Sequence, residues 1–152
     1  MITKLKRESF VALAAVAWAD GRMSKGEAEG LLHAARAHGL EGDDLARVEQ
    51  ATKEKVALDA FDPSGLSSWE RLLTYGVATW LARLDGVQQA AEIASLAQLA
   101  KTLETAEVTD FKLRAAASAA FDTAMQPAGS RPERYDFASF EKILRERLPT
   151  VK

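Results

Sequence analysis

Cysteine is missing from the whole chain, so disulfides, thiolate zinc sites and cysteine nucleophiles are excluded from the outset. That usage suits a reducing cytosol, and a cytoplasmic location is the expectation. A surplus of charge is missing too. Twenty basic against 22 acidic residues give a formal net charge of −2, which is no electrostatic footprint for a nucleic-acid partner. The basic clusters at Lys4–Arg7 and Arg145–Arg147 are interleaved with Glu8 and Glu146 and read as solvated helix faces. No stretch approaches the roughly 18 apolar residues of a membrane span, so no membrane insertion is expected. Phe10 to Ala19 follows basic residues but ends in Asp20-Gly21 rather than a small-residue cleavage site, and reads as a core helix rather than a secretory leader. Alternating β-branched runs are absent, which argues against strands. No Ser-His-Asp order, glycine-rich phosphate loop, HExxH or nucleophile elbow occurs, and no enzymatic activity is expected. The two histidines, His33 and His38, fall about 140° apart round a helix and cannot grip one metal from a single face; surface or turn positions are expected for them.

What the chain does have is apolar spacing of helical period nearly throughout. With 47% hydrophobic and 28% charged residues in 152, it suits one compact all-α domain over residues 1–152. A first helix is expected from a Thr3 cap to about Ala19, burying Phe10, Leu13, Ala14 and Ala17. Ser24 and Glu27 form a capping box that opens a second, which carries Ala28, Leu31, Leu32 and Ala35 and stops at Gly39. A third begins after Gly42 with Asp43 and Asp44 in its first turn, and ends before DAFDPSG, Asp59 to Gly65. Ser67 and Glu70 form another capping box, opening the cleanest stripe in the chain: Trp69, Leu72, Leu73, Val77, Trp80, Leu81 and Leu84. Gly76 lies on that stripe at a cost of about 1 kcal/mol relative to alanine, which a close neighbouring helix would explain. Trp18, Trp69 and Trp80 read as core anchors. A fifth helix from about Gln88 to Leu103 is expected to bury Ile93, Leu96, Ala97 and Ala100, and a sixth runs from Thr109 to about Met125. After QPAGSRPER, Gln126 to Arg134, Asp136 caps a last helix over about 136–148 through Phe140, Ile143 and Leu144.

A repeat organises these helices. A shift of 65 residues aligns Asp20 with Asp85, Gly21 with Gly86, Glu27 with Glu92 and Leu31 with Leu96. The unit is a long apolar helix, Asp-Gly, and a helix with glutamate in its first turn, at about 5–39 and again at about 70–104. Two such units suggest a pseudo-two-fold pair of helical hairpins sharing a core.

The stretches AVAWADGRMSKGEAEGLL, Ala15 to Leu32, and WLARLDGVQQAAEIASLAQLAKTLE, Trp80 to Glu104, resemble the TerB-like family, named for tellurite resistance. The resemblance covers roughly Phe10 to Met125, with the segment after Gln126 less clearly part of it. It implies an all-helical cytoplasmic bacterial module tied to stress or tellurite response. It also implies acidic loop residues that bind a divalent metal ion, falling here on Asp20, Glu27, Asp85 and Glu92. The second repeat departs from the first, with Gln88 and Gln89 where Met23 and Ser24 stand.

Two accounts of these acids compete. Calcium takes about six to eight oxygens at about 2.3–2.6 Å. Gly21-x5-Glu27 has the spacing of the back half of an EF-hand loop, but Val16 and Trp18 stand where front-half ligands belong. One loop is too poor for a tight site; four carboxylates from two facing hairpins would suffice to take up a cation or raise one another's pKa. The local account needs no ligand. Asp-Gly after a helix suits a left-handed C-terminal cap, Glu27 completes a capping box, and Glu92 favours a positive helix end. Caps outnumber metal sites among such signatures, so the residues on their own favour this account. The expected function is binding of a partner protein at the surface round the two Asp-Gly turns, with a weakly held divalent cation. The alternative is a purely structural interaction module that docks a partner helix in an apolar groove next to Gly76. Oligomeric state is left open.

Overall fold

The computed structural model describes residues 3–21, 23–58, 61–83, 90–125 and 135–152, apart from the side chains of Asp20 and Glu92. Within them are seven α-helices and no strand: α1 (Arg7–Ala17), α2 (Lys25–Ala37), α3 (Gly42–Lys53), α4 (Ser68–Ala82), α5 (Ala90–Leu103), α6 (Asp110–Ala124) and α7 (Phe137–Arg147). A 3-10 turn, Trp18–Asp20, continues α1. The expected all-α class holds. Local chemistry sets most of the boundaries. Ser24 and Ser67 each accept from the backbone of Glu27 and Glu70 while those carboxylates reach back to the cap amides. Thr109 and Asp136 cap α6 and α7 through their side chains. Gly39, at φ +92°, takes the left-handed position that ends α2.

The core is arranged round α4, on which α1, α2, α5 and α6 all pack. Its expected stripe is buried from Trp69 to Leu81, with Leu72, Leu73 and Val77 fully enclosed and Trp69 and Trp80 nearly so, while Leu84 lies outside the described residues. Gly76 has the reason its position implied. A Cβ there would lie 2.3 Å from Cζ of Phe140 on α7 and 3.2 Å from the Ala116 carbonyl oxygen on α6. The groove expected beside Gly76 as a dock for a foreign helix is therefore filled by the chain's own C-terminal helix. The chain after Gln126 supplies α7, whose Phe137, Phe140 and Leu144 are core residues.

Three expectations are corrected. Thr3 does not cap α1, whose N-cap is Lys6 with no side-chain bond; Thr3–Lys6 is a separate segment lying across the fold. In α5 the inward stripe is Leu96, Leu99 and Leu103, whereas Ile93 is 53% exposed and Ala97 is exposed as well. Nearly every residue of this helix is apolar or small, so several stripes fit the period and the larger leucines take the core side. His38 is not a surface or turn residue in the exposed sense: it stands at the C-cap of α2, buried against Phe10 and Phe137.

Candidate functional site

The first Asp-Gly bend is built from α1 outward. The 3-10 turn tightens the end of α1, and Gly21, at φ +88°, closes it by donating its N–H to the Trp18 carbonyl at 2.8 Å. Trp18 is half-buried, and its indole N–H donates to the Ala51 carbonyl at 2.8 Å. Ala51 lies in the last turn of α3, where carbonyls lack intrahelical partners, so the bend also caps a neighbouring helix. On its other side the 3-10 turn packs on α5, the helix that follows the second Asp-Gly.

Of the four acids singled out from the repeat, Asp20 ends the 3-10 turn and Glu92 stands in the first turn of α5, with both side chains outside the described residues; Asp85 lies outside them entirely. Glu27 is 2% exposed. Its Oε1 accepts from the Ser24 amide at 3.2 Å, and its own amide donates to Ser24 Oγ at 3.0 Å. The local account of the first bend is thus present in full: a left-handed glycine and a complete capping box. Among the described residues no group of three or more His, Cys, Asp or Glu side chains has a metal-holding arrangement.

Beside the bend, α5 turns an apolar face outward. Ala90, Ile93, Ala94 and Ala97 are all exposed and fall at i, i+3, i+4 and i+7, one side of a helix. Phe111, Phe121 and Met125 are large exposed side chains on α6 and its C-cap, the second partly covered by the Arg83 guanidinium 5.0 Å from its ring centre.

A second site escaped the sequence reading. Thr3, Trp69 of α4 and Ala138, Ser139, Glu141, Lys142 and Arg145 of α7 line a cleft of about 560 Å³. Glu141 is almost fully buried, and its Oε2 accepts from the Thr3 amide at 2.8 Å while Oε1 accepts from the Thr3 hydroxyl. The Trp69 indole N–H is directed at Thr3 Oγ1 at 3.1 Å, with Glu141 Oε1 at 3.4 Å. Arg145 stacks on the Trp69 face, 3.7 Å from its centre. Behind Thr3, His38 Nδ1 lies 2.8 Å from the Thr3 carbonyl oxygen. Burial lowers the pKa of His38, against opposing contributions from the Thr3 carbonyl and the charge of Glu141. Thr3 and Glu141 are 138 positions apart, and no local pattern announces such a pair.

Compared with protein-family models, with curated proteins and with solved structures, the chain matches none. No helix among the described residues is long and apolar enough to cross a membrane.

Proposed function

We propose that the chain is a non-catalytic TerB-like binding module of a bacterial stress or tellurite response. It recognises a partner protein through the surface beside its two Asp-Gly bends, with a divalent cation held weakly by Asp20, Glu27, Asp85 and Glu92. What supports this reading above all is one juxtaposition: the first bend packs on α5, the helix whose outward face carries Ala90, Ile93, Ala94 and Ala97. An exposed apolar face of that kind next to a polar turn, with Ile93 as its one large side chain, offers a patch for a partner surface to cover.

The partner half of the proposal is tested with a photo-crosslinking side chain at position 93 in living cells. A discrete crosslinked heterodimer is expected from that position and not from exposed Lys142. Equal yields from both, or none from position 93, would count against the surface. Calorimetric titration of calcium, magnesium, manganese and zinc tests the metal half. Binding heat should be present in the native protein and absent from the Asp20→Asn/Asp85→Asn double variant; heat unchanged by the double substitution would exclude these acids. A second reading, the same docking without any metal, is favoured by the engagement of Glu27 in its capping box. Partner crosslinking with no metal heat in either protein is its expected signature.

A further inference from the structure

The segment Thr3–Lys6 is held almost wholly by groups distant in sequence. Glu141 of α7 binds both the amide and the hydroxyl of Thr3, the Trp69 indole of α4 donates to that hydroxyl, and Lys6 donates to the Gly65 carbonyl. Leu5 is buried, while the Lys4 stem lies on Gly39, where an added Cβ would stand 3.2 Å from Lys4 Cγ. The remaining anchor is His38, the one imidazole in the clasp. Its Nδ1–H donates to the Thr3 carbonyl, so in the neutral ring Nε2 is a bare acceptor. That Nε2 is buried and has no hydrogen-bond partner among the described residues. The imidazole packs against the rings of Phe10 on α1 and Phe137 on α7, with ring centres 6.1 and 5.3 Å from its own. A proton placed on Nε2 would therefore create a buried, unpaired donor on a cation within an apolar wall.

We propose that Thr3–Lys6 is an acid-released strap, closed while His38 is neutral and opened by protonation of its ring, uncovering the Trp69–Glu141 wall of the cleft. Two titratable groups act on His38 by their charge: Glu141 from α7 favours the imidazolium, and His33 from its own helix opposes it. The N-terminal segment itself offers a carbonyl and the stem of Lys4, and α1 offers the Phe10 ring. In the closed state desolvation outweighs the Thr3 carbonyl and the attraction to Glu141; opening the strap lets water reach the ring, so the closed state binds the proton less readily than the open state. Stability of the closed strap is then complete above the ordinary imidazole value of 6.5. It is lost as pH falls below that value, by up to about tenfold in the closed-to-open ratio per pH unit, until the lowered pKa of the closed state is reached.

Nuclear magnetic resonance of the full chain between pH 8 and pH 5 tests this directly. The amides of Leu5 and Lys6 are expected to move to random-coil positions together with the titration of the His38 imidazole carbons. Signals of α5 and α6 should keep their dispersion throughout. In His38→Gln, whose side-chain amide can still donate to the Thr3 carbonyl but does not titrate, the strap signals should stay in place over the same range. Strap signals that hold their positions in the wild type while His38 titrates would overturn the proposal, as would release that persists in His38→Gln. Should that variant fold poorly, the wild-type comparison still decides: release at a midpoint separate from that of His38 also overturns it.

Discussion

Gly76→Ala is expected to destabilise the domain by about 2 kcal/mol, lowering the melting temperature by about 4–8 °C. The direction is the informative part, because the same change in an exposed helix would stabilise by about 1 kcal/mol. Here the new methyl would arrive 2.3 Å from Phe140 Cζ and 3.2 Å from a main-chain oxygen of α6. Phe140 is completely buried, so its ring has no solvent side to swing towards, and the helix backbone of α6 moves only with its whole layer. Overpacking of this kind typically costs about 1–3 kcal/mol and exceeds the gain in propensity. Phe140→Leu, which removes the ring edge, should make the alanine markedly cheaper, with a coupling of at least about 0.5 kcal/mol in a double-mutant cycle measured by urea unfolding. A stabilising Gly76→Ala would mean that α4, α6 and α7 do not meet at this point.

The same residue shows what a sequence can disclose. A glycine on the best stripe of an apolar helix announces a close approach, though not which helices approach. The capping boxes at Ser24 and Ser67 and the caps at Thr109 and Asp136 are equally readable, since each joins residues three apart within one helix turn. Legibility fails where the relevant distance is long or where composition is uniform. In AAEIASLAQLAKTL, α5, the apolar and small residues fit more than one face, and only the packed core decides that Leu96, Leu99 and Leu103 go inward while Ile93 goes out. Thr3 looked like a helix cap because threonine often is one, but its hydroxyl and amide are taken by Glu141 at the far end of the chain. His38 follows from the same cause: a histidine just before a helix-ending glycine looks exposed until Phe10, Phe137 and Thr3 close over it. At the first Asp-Gly bend, what depends on neighbours in sequence, the left-handed Gly21 and the Ser24–Glu27 capping box, is present as the local account reads it. Its convergence with Asp85 depends on residues outside those described.

Arg71 carries a large expected effect for a polar side chain, and local patterning gives no hint of it. Its guanidinium donates from three nitrogens to three main-chain carbonyls: Nη2 to Pro63 at 2.9 Å, Nη1 to Leu103 at 3.1 Å and Nε to Leu66 at 3.3 Å. Leu103 is the last residue of α5, so its carbonyl is one of the four that a helix leaves unpaired, and Leu66 immediately precedes the N-cap of α4. One planar fork therefore joins the end of α5 to the turn that launches the central helix. Hydrogen bonds from a charged donor contribute about 1.5–3 kcal/mol each, and the three here form one unit rather than a sum. Arg71→Ala is accordingly expected to cost about 3 kcal/mol in urea unfolding. Arg71→Lys should recover little of this, because a single ammonium on a flexible stem keeps the charge but cannot meet three carbonyls arranged round a fork. The loss should also be nearly the same at low and at high salt, since the partners are dipoles and not ions. A lysine variant within about 0.5 kcal/mol of the wild type would show that charge alone suffices. It would also remove Arg71 as the link holding α5, and with it the exposed Ile93 face, in register with α4.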